Sequence, residues 1–177
     1  MIYGLDLSLT ATGIASLTQP GKVALSTVGS DKHAKPETRL FDLARDIELR
    51  LSNPQLIVME GLSYGSNDPS AQERAALHWM IRIALHMRSV PYLVIPPSTL
   101  KKFTCGAGNA KKEMMIREVY RQWKVEAADN NQADAAALAY MGAAIRRIYT
   151  PTNQPQREVI SRLMAPPVGK SKRGKKA

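Results

Sequence analysis

A single cysteine, Cys105, stands in a chain of 177 residues. One thiol excludes an internal disulfide and any zinc site built from cysteines. Long apolar runs are missing too. The most hydrophobic stretch, residues 75–87, is broken by His78, Arg82 and His86, so nothing reads as a bilayer span. No secretory leader is expected, because Asp6 and a run of hydroxyl residues come too early. A soluble, cytoplasmic protein is expected. Acids are scarce, at 15 Asp and Glu against 25 Lys and Arg, for a formal charge of +10. The imbalance is steepest at the end of the chain. Residues 150–177 carry Arg157, Arg162, Lys170, Lys172, Arg173, Lys175 and Lys176 against Glu158 alone. Such a distribution points to a polyanionic partner; a merely solubilising tail is the plain alternative.

What is present suits one folded domain. The hydrophobic fraction is 44%, and the length allows a sizeable core but not two ordinary domains. We expect a body over residues 1–149 and a basic, flexible tail over 150–177, with a short helix near 157–164. No internal repeat is visible.

The opening "MIYGLDLSLTATGIASLT" reads as two short strands around a turn, and residues 23–27 as a third, which together predict an antiparallel meander. In residues 36–52 the apolar positions Leu40, Leu43, Ala44, Ile47 and Leu51 form a helical stripe. "LIVME" at 56–60 and "YLVI" at 92–95 are continuous apolar runs, as buried central strands require. Between them a helix is expected from an N-cap at Ser70, with Glu73 as its capping-box acid, to about Arg88. A basic, glycine-containing loop then leads to helices over about 111–123 and 130–147. The order βββ-α-β-α-β-α-α implies a mixed five-stranded sheet flanked by helices.

The helix over 71–87 has an unusual face. Arg74, His78, Arg82 and His86 recur every four residues, and nearly all other positions are apolar. A helix apolar over most of its girth needs burial on two sides. One side can be its own sheet and the other a second copy of the chain, so a homodimer is expected. The His spacing is wrong for a metal pair on one turn, and a solvated or interfacial stripe is the better reading.

Three acids fall at the ends of elements: Asp6 after the first strand, Glu60 after the fourth, and Asp134 early in the last helix. Each alone could be a turn or cap residue. Together they suggest a carboxylate cluster, which is self-repulsive unless a cation neutralises it. Oxygen donors of this kind suit Mg²⁺ or Mn²⁺, and a pair of such ions serves in-line attack of water on a phosphodiester.

These segments resemble the RuvC-like Holliday junction resolvases of the RNase H-like superfamily. The similarity rests on "GLDLSLTATG", on "IVMEG" with Asn67 and Ser70-Ala71, on "LKKFTCGAGNAKKEMM" and on "NQADAAALAY". It covers residues 1 to about 147 in the family's order and leaves the tail outside. The resemblance implies an RNase H-like fold and a Mg²⁺-dependent endonuclease of four-way and other branched DNA. It implies metal ligands at Asp6, Glu60 and Asp134, with two ions per site. It places Lys101 and Lys112 at phosphate-contacting positions, with Lys102 and Lys111 beside them.

Two departures stand out. Where the family usually has Asp or His three residues before its last Asp, this chain has Asn131, which is expected in the catalytic site as an uncharged oxygen ligand for a hard cation, unable to act as a base. Asp129 is read as the N-cap of that helix, with Gln132 completing a capping box. The aromatic residue expected three positions after Glu60 is Ser63, and Tyr64 follows; Tyr64 could stack on a base. Two other classes fit parts of the sequence: a fragment of an actin-like ATPase, and a branched-DNA-binding protein with weak catalysis.

Overall fold

The computed structural model describes residues 1–62 and 70–165. Its first three strands, β1 (Ile2–Asp6), β2 (Thr12–Gln19) and β3 (Lys22–Val28), form the expected antiparallel meander. After α1 (Pro36–Leu49) come β4 (Leu56–Glu60), α2 (Ala71–Met87) and β5 (Tyr92–Ile95). Then follow α3 (Pro97–Cys105), α4 (Glu113–Trp123), α5 (Asn130–Ile145) and α6 (Gln154–Met164). The sheet order is β3-β2-β1-β4-β5, with β4 parallel to both β1 and β5.

Alternation along the strands splits the core into two layers. Tyr3, Leu5, Ile57 and Met59 face α1 and α2, packing on Leu43, Ile47, Leu77, Ile81 and Leu85. Ile2, Leu17, Leu56 and Val58 face α5. Helix α5 is buried over nearly its whole circumference, by a run of alanines and Gly142. Small residues on both sides let it lie almost on the sheet. A methyl group at Gly4 would sit 1.9 Å from the Ala135 carbonyl oxygen, and one at Gly13 would sit 2.1 Å from that of Asn131. Helices α3, α4 and α6 cover the outer side of α5, where Trp123 stacks on Tyr140 at 4.4 Å.

Several local expectations need correction. The segment after β5 is not simply a loop, because α3 intervenes. Pro97 starts it with a preset φ, and Leu100, Phe103 and Thr104 bury its inner face. The stretch expected to begin a flexible tail continues into α6, whose Val159 and Ile160 join the core. Ser70 makes no cap hydrogen bond. Its hydroxyl accepts from Arg74 instead, and Glu73 pairs with Arg39 at 2.7 Å. The basic stripe on α2 is not uniformly solvated either. His78 is buried, and that burial, aided by the nearby Arg82 charge, lowers its pKa to about 4. At α5 the expected cap is present, with Asp129 accepting from the Gln132 amide at 2.8 Å. The Gln132 side chain, however, reaches the amide of Ala128 rather than that of Asp129. Among the described residues, no helix is long and apolar enough to cross a membrane.

Candidate active site

The parallel register of β1 and β4 aligns Leu5 with Met59, so the next residues, Asp6 and Glu60, end neighbouring strands side by side. The close seat of α5 over Gly4 and Gly13 delivers Asp134 to the same place. One carboxylate oxygen from each of the three lies within 4.8 Å of the others. Asp6 and Asp134 are buried, and Glu60 is partly so.

Burial is the main force on their protonation. It pushes Glu60 up to about 8, with the Asp6 and Asp134 charges adding to the effect. Asp134 rises to about 7, again through burial first and the Asp6 charge second, opposed by Lys112 and Lys101. Asp6 rises to about 6 by burial, held back by a hydrogen bond from Glu60 and by the Lys112 charge. Lys112, on the surface just before α4, thus acts on all three carboxyl groups.

The residues fit a divalent cation. Asp134 Oδ1 is buried with no hydrogen-bond partner, a costly state for an acidic oxygen unless a cation takes it up. Three hard carboxylate donors at this spacing match the oxygen preference of Mg²⁺ and Mn²⁺.

The turn after Asp6 is tied by its own hydroxyls. Thr12 Oγ1 donates to the Ser8 carbonyl at 2.7 Å and accepts from the Ser8 amide at 3.0 Å. Asn131 braces the same turn, because its Nδ2 donates to the Ala11 carbonyl at 2.6 Å. The basic residues divide. Lys111 and Lys112 are exposed, whereas Lys101 and Lys102 are half-buried on α3. Lys102 pairs with Glu158 of α6 at 2.7 Å, an exposed ion pair on the outer side of α3. Tyr64 lies outside the described residues. Sequence reasoning missed α3 and the buried glutamines behind it. The proline pair at 96–97 followed by Leu100 and Phe103 was the available signal for the helix.

A mixed five-stranded sheet whose strand ends and last central helix converge on three acids defines the RNase H-like class of nucleases. No protein-family model matches the chain. Sequence comparison finds the crossover junction endodeoxyribonuclease RuvC of Corynebacterium jeikeium, 30% identical over 146 residues, which span 77% of this chain and 89% of that protein. The chain belongs to the RuvC family of crossover junction endodeoxyribonucleases. Solved structures agree on the fold. Thermus thermophilus RuvC superposes with a TM-score of 0.64 at 20% identity, covering 85% of this chain and 98% of the other. The same protein in complex with a Holliday junction substrate gives 0.62 at 19% identity, covering 78% and 89%.

Proposed function

We propose that this protein is a structure-selective endonuclease that cuts phosphodiester bonds in four-way junctions and other branched DNA, in recombination, repair or replication. The observation that carries the reading is the convergence of Asp6, Glu60 and Asp134, with one carboxylate oxygen of Asp134 left unpartnered. Family membership supports it. The rival ATPase reading has no comparable support, since the three acids serve a cation better than a nucleotide.

In this reading Asp6, Glu60 and Asp134 would hold Mg²⁺ or Mn²⁺, two ions per site as the family resemblance implies. Such a pair, when bound, would activate the attacking water and stabilise the leaving oxyanion. The chain's own groups supply the rest. Asn131 braces the β1–β2 turn beside the carboxylates through the Ala11 carbonyl. Lys112 and Lys101 offer positive charge beside the scissile phosphate, and Lys111 tracks the backbone further out. Lys102 contributes to this surface only when its bond to Glu158 opens. Tyr64 is assigned a stacking role at the branch. The nuclease unit comprises the sheet and its helices, and the basic residues at the end of the chain add affinity without shape preference.

A homodimer completes the proposal, because two equivalent sites match the two symmetric scissile strands of a four-way junction. The face offered to a second copy is the outer side of α1 and α2. Phe41, Trp79, Ile83 and Met87 are exposed there, Met87 by 78%. A groove of about 620 Å³ runs between the helices. Contiguous apolar surface of this kind marks an association site.

The deciding experiment incubates the protein with labelled four-way, flap, RNA–DNA hybrid and linear substrates, with Mg²⁺, Mn²⁺ or chelator. Metal-dependent paired nicks at the junction are expected. Junction binding without cleavage under any metal would overturn the nuclease reading in favour of a binding protein.

A further inference from the structure

Beyond the resemblance lies α6, and its strongest contacts run inward. Gln156 is fully buried, with both the oxygen and the nitrogen of its amide hydrogen-bonded. Its Oε1 accepts from the Tyr149 hydroxyl at 3.1 Å and from the Thr152 amide at 3.0 Å. Its Nε2 donates to Gln122 Oε1 of α4 at 2.6 Å. Gln122 in turn donates through Nε2 to the Thr104 carbonyl. That carbonyl belongs to the last turn of α3, where no intrahelical partner is available. A continuous polar chain therefore links α6 through α4 to the end of α3.

The end of α3 is where the basic loop begins. Gly106 terminates the helix in the left-handed conformation, with φ +84. A methyl group there would meet the ring of Pro155 of α6 at 3.7 Å. Six residues later comes Lys112, exposed at the N-cap position of α4, the helix that carries Gln122. The ion pair of Lys102 with Glu158 ties α6 to α3 a second time, though an exposed pair contributes little by itself.

We propose that Gln156 is a positioning residue for cleavage: through Gln122 and Thr104 it fixes the start of the 106–112 loop and so the placement of Lys112 at the carboxylates. The proposal rests on the nuclease reading of that site. A hydrogen-bonded chain anchored on a buried amide holds one geometry, because that amide would be left unpaired in another. Catalysis is sensitive to displacement of a charged group by about 1 Å, which costs up to about a hundredfold in rate. A helix that packs outside the catalytic layer can thus set the rate without touching DNA.

The test is a double-mutant cycle on the full-length protein. Single-turnover junction cleavage at saturating enzyme is measured for Gln156→Ala, Lys112→Ala and the double variant, together with hydrogen exchange of the 106–112 amides. Expected for Gln156→Ala are a rate loss of about tenfold, junction affinity within about twofold, and faster exchange in the loop but not in β1 or β4. In the Lys112→Ala background the same change should cost less than about twofold, because residues acting in one network are not additive. Gln122→Met cuts the chain at Thr104 while preserving volume, and it should reproduce the pattern even where Gln156→Ala is too unstable to assay. Equal losses in both backgrounds, or unchanged loop exchange in a folded variant, overturn the proposal. Faster loop exchange in a protein that cuts no branched DNA would support the tether and sink the nuclease reading instead.

Discussion

Asp6 and Glu60 end the neighbouring parallel strands β1 and β4 side by side, with a carboxylate oxygen of each within 4.8 Å of the other. A proton held by this pair relieves the repulsion between the two carboxylates, as a bound cation would. Protons and divalent ions therefore compete for one site, and the measurable consequences begin there.

The first consequence is a stability that falls with pH in metal-free protein. All three carboxyl groups are raised above their unfolded values, to about 6, 7 and 8 for Asp6, Asp134 and Glu60. The folded state thus binds protons more tightly than the unfolded one. The contribution is complete below about pH 4 and is lost as pH climbs through 6 to 8. Opposing charge effects elsewhere act at lower pH. Thermal melts in chelator should drop by several degrees between pH 6 and pH 8.5, and Mg²⁺ should restore much of the loss at the higher pH. Glu60→Gln should flatten the profile. A flat profile for the unsubstituted protein would show that burial does not raise the three acids in the folded state.

Asp6→Asn should reduce cleavage by more than about a hundredfold, since a bound cation supplies several kcal/mol to the transition state. Junction binding should hold or improve, because a negative charge near the phosphates disappears. Gel shifts and cleavage assays on one preparation separate the two effects. Full activity in this variant would remove Asp6 from the proposed site.

Dimerisation can be tested on α2 without harming the fold. Leu77 and Ile81 are fully buried against the sheet, so a Glu at either position should unfold the protein by stranding a charge in the core. Ile83 is 53% exposed and points to the other side of the helix. Ile83→Glu should give a folded monomer with unchanged circular dichroism, seen by sedimentation at micromolar concentration. An unsubstituted protein that sediments as a monomer would count against the interface.

Truncation after Ala165 removes five of the basic residues but leaves α6 in place. For every phosphate that the shortened chain no longer neutralises, the slope of log K against log salt should flatten by about 0.9. Affinity for linear and branched DNA should fall alike, with the slope reduced by a few units and junction preference retained. Loss of junction preference with duplex affinity intact would make the tail a shape-recognition element.

By itself the sequence determined the parts list. The meander, the two buried strands and the long helices were legible because alternation and 3.6-residue periodicity are local properties. Asp6, Glu60 and Asp134 stood out because an acid at the end of an apolar run is locally anomalous. Which parts meet was decided only by tertiary structure. The parallel pairing of β1 with β4 joins residues more than fifty apart, and α5 reaches Asp6 because Gly4 and Gly13 leave no Cβ in its path. Lys102 looked like a free cation until Glu158 was found beside it. Gln156 looked like an ordinary polar helix residue until its burial beside Gln122 made its amide an obligatory partner. Periodicity reports which face of an element is apolar, whereas the partner across that face is chosen by packing, and packing is not written in any one segment.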